Sequence, residues 1–247
     1  DSFIPVLERN IILIYLGSEN LGLFSAGAKI AMITSLIVGA FQMAWEPFSV
    51  SIHKEKNAYL TYNYVLKTFC FLICLFLLFM ELISNYLLIV LASEKYIVAS
   101  GLILPVAAFI GIKGISGITE IGINLSKKSY FYLISYMIFL TFALILMYFL
   151  IPEFKLMGVV LSILIAELVR SLISSFIAQK IHYLSWEYKP IILMIMITFL
   201  TILISRVYLH EGEMFLKTIF FSLSSLSLCL LYIKVISRKT KTEFLDK

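Results

Sequence analysis

The sequence predicts an all-α fold, a polytopic transmembrane bundle of about eight helices, and three observations lead there. Hydrophobic residues make up 61% of the 247 positions and charged residues only 14%, where soluble domains carry about 25% charged residues. Apolar runs of membrane-crossing length follow one another along the whole chain. Lysine and arginine collect in alternate connections between those runs, the pattern of membrane topology.

A helix rises about 1.5 Å per residue, so about 20 apolar residues span a hydrocarbon core of about 30 Å. Runs of that kind cover approximately 2–16, 22–48, 62–83, 97–125, 129–151, 157–179, 190–208 and 214–236. Helices are expected because lipid offers free backbone groups no hydrogen-bonding partners. The first run is short, has no basic leader and follows Asp1 rather than a methionine. No signal peptide is visible, and the chain is expected to be a piece of a longer protein. It divides into one transmembrane helical domain, 1–236, and a basic tail, 237–247. Connections of at most about a dozen residues leave no room for a soluble domain.

Net charge is +5. Lys54, Lys56 and Lys67 lie at the second connection, Lys127 and Lys128 at the fourth, Lys180 and Lys189 at the sixth, and Lys234, Arg238, Lys239, Lys241 and Lys247 at the end. The other connections are poorer in net positive charge: Glu19 alone, Glu94 with Lys95, Glu153 with Lys155, and Glu211 and Glu213 between Arg206 and Lys217. This alternation puts the C-terminus in the cytoplasm. No arginine-rich or aromatic-interleaved patch points to nucleic acid.

Ionisable groups in an apolar helix cost roughly 2.5–3.5 kcal/mol each, so each one needs a reason. Glu8 and Arg9 fall mid-run, Lys29 lies about two turns into the second run, and Glu46 precedes Pro47 near that run's inner end. Lys113 and Glu120 are two turns apart and share a face. Glu167 and Arg170, three apart, are placed to pair as structural glue. Arg9, Lys29 and Lys113 lack a local partner. Each either faces an acid of another helix or lines an aqueous cavity, where together they would form a cationic substrate site. Glu46 and Pro47 are either an interface anchor, with Trp45 beside them, or a gate at the cytoplasmic mouth. Gly111, Gly114, Gly117 and Gly122 form a smooth stripe for close helix packing, and with Pro105 they also give that helix room to flex.

No nucleotide-binding P-loop, H-E-x-x-H or G-x-S-x-G motif is present. His53, His182 and His210 lie in separate loops. Cys70 and Cys74 share a helix face as lipid-facing or packed small residues, and with Cys229 they complete no metal site. The expectation is a protein that is not an enzyme and uses no metal and no cofactor.

Four stretches carry a family resemblance: LGSENLGLFSAGAKIA (16–31), AFQMAWEPFSVSIHKEKNA (40–58), GINLSKKS (122–129) and LIPEFKLMG (150–158). Together they resemble the C-terminal half of bacterial polysaccharide-biosynthesis flippases, the Wzx-like O-antigen and capsule repeat-unit transporters of the multidrug/oligosaccharidyl-lipid/polysaccharide exporter superfamily. The likeness covers residues 8–165 and fades in the last two helices, and the Ala44-Trp45-Glu46-Pro47-Phe48 phrase is its most specific part. Ala143 and Met147 stand where the family usually has asparagines, and Lys155 where it has glycine. The resemblance implies a two-lobe exporter of twelve or fourteen helices in the bacterial inner membrane, of which this chain would supply the last eight. It implies translocation of a polyprenyl-diphosphate-linked oligosaccharide repeat unit without ATP, often coupled to an ion gradient. Arg9, Lys29 and Lys113 would face the diphosphate, and Glu46 and Glu120 would serve ion coupling. Membrane lipids, a polysaccharide polymerase and chain-length proteins are the implied partners. The alternatives are a multidrug or cation exporter of the same superfamily and a membrane-embedded glycosyl polymerase or ligase.

Overall fold

The structure, a computed structural model, describes residues 3–208 and 214–245, with side chains over 4–208 and 216–237. Asp1, His210, Glu211, Glu213 and Lys247 lie outside the described residues, as do the side chains of Arg238, Lys239 and Lys241. The described chain is helical almost throughout: α1 (Phe3–Ala31), α2 (Ile33–Ile52), α3 (Ala58–Leu91), a 3-10 helix (Glu94–Ala99), α4 (Ser100–Thr119), α5 (Ile121–Leu125), α6 (Tyr130–Ile181), α7 (Tyr188–Tyr208) and α8 (Met214–Leu245). Six helices among the described residues are long and apolar enough to cross a membrane. Large side chains such as Ile14, Leu72, Phe79, Leu172 and Phe199 are exposed along them, as a lipid-facing surface requires. The chain is therefore a bundle of membrane type.

Two of those helices are broken at single residues, close to connections expected from the sequence. Gly17 interrupts α1 with φ 83° and ψ 175°, a conformation that glycine adopts without steric cost. Lys155 interrupts α6 with φ 50° and ψ −125°. Here the chain folds back on itself: a Cβ added to Gly158 would collide with the Leu150 carbonyl. Lys155 thus keeps a left-handed backbone usually reserved for glycine, at a cost of order 1–3 kcal/mol. Between α1 and α2 the helical path is only dented. Met32 donates to the Ala28 carbonyl and Ser35 to that of Met32, both at 2.9 Å, so the run expected over 22–48 emerges as the second arm of α1 followed by α2.

The chain forms two compact units. The first comprises residues 1–50 and 83–184 and the second 51–82 and 185–247, so α3 belongs partly to each. In the first unit α4 packs mainly against α6 and α1. Its interior is filled by Ile103, Ala107, Ile118, Phe139, Val159 and Ile163. Close approach of α5 to α6 depends on glycine: a Cβ on Gly122 would lie 2.8 Å from the Ala178 carbonyl oxygen. Trp45, read from sequence as an interface residue, is instead 3% exposed, with its ring 6.1 Å from that of Phe41.

The second unit contains the first part of α3, with α7 and α8. Phe71 stacks on Tyr232 at 4.4 Å, whose hydroxyl lies 2.8 Å from Thr68. Cys70 and Cys74 are buried inside this unit, which selects packing over lipid exposure for them. Asn63 holds the connection into α7. Its amide donates to the Ser185 carbonyl, and its oxygen accepts from the Glu187 N–H, each at 2.7 Å.

Candidate functional site

The densest polar feature of the first unit is a buried charge cluster between α4 and α6. Arg170 donates from Nε and Nη2 to the Glu167 carboxylate at 2.9 and 2.6 Å. The three-residue spacing puts both on one helix face. Its remaining donors reach across to α4. Nη1 meets Glu120 Oε1 at 3.0 Å and Nη2 meets the Ser116 hydroxyl at 2.7 Å. The guanidinium also lies 5.5 Å from the centre of the Tyr136 ring. All three charged residues are nearly inaccessible: Glu120 and Arg170 are each 3% exposed and Glu167 2%. A planar guanidinium with five fixed donors suits this task, because one arginine can hold two carboxylates and a hydroxyl at once. Thr119 and Ser175 extend the seam with a 2.6 Å contact between hydroxyls.

Lys113 lies partly buried at the edge of this cluster, in electrostatic range of Glu167, Arg170 and Glu120. Two acids and two bases therefore meet there, with formal charges that cancel. Glu120, read as a coupling residue, is hydrogen-bonded to Arg170. Glu46 and Pro47 are exposed near the end of α2. The Ser49 hydroxyl donates to the Glu46 carbonyl at 2.8 Å, and the Glu46 carboxylate acts electrostatically on Tyr132.

The other two cations lie apart from this cluster. Arg9 is exposed on the first arm of α1. Lys29 is exposed on the second arm and lines a cavity of about 390 Å³ with Ser25, Leu91, Ala92 and Tyr96. A further cavity, of about 570 Å³, lies between the first arms of α1 and α6 and is lined by Tyr15, Tyr148 and Lys155. No cavity described here is lined by two of Arg9, Lys29 and Lys113. The structure thus brings Lys113 to Glu120, Glu167 and Arg170, and leaves Lys29 in a cavity of its own.

Sequence reasoning missed several residues. Lys67, counted among the loop cations, is 3% exposed and bonds Glu187 at 2.6 Å. Arg206, counted in a connection, forks onto Glu81 at 2.7 and 2.8 Å. Both pairs join positions about 120 residues apart, and no periodicity in one sequence reports such a contact. Among the described residues no group of three His, Cys, Asp or Glu side chains is placed to hold a metal ion.

Among the described residues the protein is therefore all-helical, with several long apolar helices compatible with a membrane bundle and with buried ionic groups. No family model, no curated protein and no solved structure matches the chain.

Proposed function

We propose that this chain is the C-terminal lobe of a flippase that carries a polyprenyl-diphosphate-linked oligosaccharide from the inner to the outer leaflet of a bacterial inner membrane, for O-antigen or capsule synthesis. In this reading the two broken helices count as two crossings each, giving about eight crossings with the C-terminus in the cytoplasm. Six further helices precede them in the native protein, and the lobes rock about a central cavity.

The observation that carries the reading is Lys29. Its exposed ammonium, in the last turn of α1, borders a cavity of about 390 Å³ with a serine and a tyrosine on its wall, and a cation held within an apolar run is costly unless it meets an anion. A diphosphate supplies one, and the hydroxyls of Ser25 and Tyr96 add neutral donors for phosphate or sugar oxygens. The sequence likeness over 8–165 supports the same cargo. Arg9, outside that cavity, serves the headgroup at an earlier or later stage of passage, and Lys113 balances the buried acids.

The test is complementation in cells lacking their own repeat-unit flippase, using the native protein. The proposal expects surface polymer with the wild type. With Lys29→Ala it expects lipid-linked repeat units to accumulate on the cytoplasmic leaflet while the protein reaches the membrane normally. Repeat units that reach the outer leaflet but stay unpolymerised would indicate a polymerase instead. Restored drug resistance without polymer would indicate a multidrug exporter.

A further inference from the structure

Among the described residues of the first unit, Glu8 is the one strongly buried carboxylate that the charge cluster does not absorb. It is 8% exposed, on the first arm of α1. The surface it packs against is built from Leu7 and Ile11 of its own arm and from Phe139, Ala143, Met147 and Ile163 of α6. The space left there is about 10 Å³, about that of a single water. Every α6 residue lining that space is apolar, and no charged side chain of α4, α6 or the 3-10 helix, the elements packed against α1, acts on Glu8. On its own helix the charged neighbour is Arg9, which is exposed. Adjacent residues of a helix point about 100° apart, so Arg9 cannot close onto Glu8 as Arg170 closes onto Glu167. Among the described residues Glu8 has no hydrogen-bond partner.

An ionised carboxylate in such walls is far costlier than a neutral acid. A hard metal cation would not relieve that cost, because it needs several oxygen ligands and the α6 wall supplies none. A proton needs only the carboxylate itself. We propose that Glu8 is a membrane-embedded proton-binding site. A proton taken from water adds to one carboxylate oxygen to form an O–H bond, and the neutral acid rests against α6. Release returns the proton to water and leaves an anion that the Phe139–Met147 face does not accommodate. The first arm of α1 must then move to bring Glu8 toward water. Gly17, with its left-handed φ of 83° and no atom within 4 Å of an added Cβ, is the joint that permits this motion. This gives the ion-coupling role to Glu8 rather than Glu46 or Glu120, and it stands whatever the cargo.

The test uses the native protein in lipid vesicles and reads protonation rather than transport. A lipophilic carbodiimide reacts with protonated carboxyl groups in apolar surroundings, and mass spectrometry locates the adduct. At neutral pH the expected result is modification at Glu8 at least about tenfold above that at Glu120 or Glu167, since a tenfold difference corresponds to about 1.4 kcal/mol. The modification should fall as the medium is made alkaline. The infrared spectrum should contain a protonated-carboxyl stretch that disappears in Glu8→Gln, a variant of nearly the same shape. Identical carboxyl regions in wild type and Glu8→Gln would overturn the proposal whatever the labelling shows. Labelling at Glu120 and Glu167 equal to that at Glu8 would overturn it as well.

Discussion

Glu8 and Glu167 lie in the same unit, both nearly inaccessible at 8% and 2% exposure, but their surroundings are opposite. Glu167 is held by a guanidinium that also holds Glu120 and Ser116. Glu8 rests against phenylalanine, alanine and methionine. The first arrangement fixes charge in place and joins α4 to α6. The second leaves a group whose charge is tolerated only if the helix moves. Burial alone does not tell a structural acid from a functional one, because the nearest donors decide it.

The largest expected effect comes from removing the shared cation. Arg170→Met leaves Glu120 and Glu167 buried without their donor, and breaking a buried ion pair from one side costs about 3–5 kcal/mol. Thermal unfolding in detergent and the yield of inserted protein should both fall. Adding Glu120→Gln and Glu167→Gln to Arg170→Met should recover most of the loss, because the orphaned charges go with the arginine. A triple variant no more stable than Arg170→Met would mean that the cluster acts through packing rather than charge.

Close backbone approach gives the next effect. Gly158→Ala and Gly122→Ala each drive a methyl group into a carbonyl that belongs to the main chain, and such overpacking costs about 1–3 kcal/mol. An unchanged unfolding temperature for Gly158→Ala would contradict the fold-back of α6 at Lys155.

Glu120→Gln and Glu8→Gln sharpen the comparison itself. The first removes the charge that Arg170 Nη1 meets at 3.0 Å and should cost about 1.5–3 kcal/mol, as for other hydrogen bonds to charged groups. The second changes a carboxyl that has no donor beside it and should stay within about 0.5 kcal/mol of wild type. Equal losses in the two variants would erase the distinction. Opposite in sign, Lys155→Gly should stabilise the protein by about 1 kcal/mol by relieving the left-handed strain, measurable as a raised unfolding temperature.

Much of this arrangement was legible in the sequence. Apolar runs of crossing length place the long helices, and a short run of polar and small residues after residue 16 anticipates the break at Gly17. The Glu167–Arg170 spacing anticipates a contact within one helix, and the seven-residue step from Lys113 to Glu120 puts both on the face that meets Arg170. Contacts between helices were not legible. Glu120 bonds Arg170 across 50 positions, and Lys67 bonds Glu187 across 120. Such pairings depend on which helices pack together, and the amphipathic pattern that would report it is weak in a chain that is apolar on every side. For the same reason the sequence grouped Arg9, Lys29 and Lys113 by charge alone, whereas the fold assigns Lys113 to the acids and Lys29 to a cavity with Ser25 and Tyr96. Glu8 stood out in sequence only as a mid-run acid, and its isolation became visible once its α6 neighbours were placed.

The most direct measurement is the leaflet distribution of lipid-linked repeat units in cells whose flippase is the native protein carrying Lys29→Ala or Lys29→Arg. A charge-assisted contact worth about 1.5–3 kcal/mol predicts roughly a 10- to 150-fold loss of outward movement for Lys29→Ala, with much of it restored by Lys29→Arg. Wild-type outward movement with Lys29→Ala, in protein that reaches the membrane at its normal level, would contradict the account.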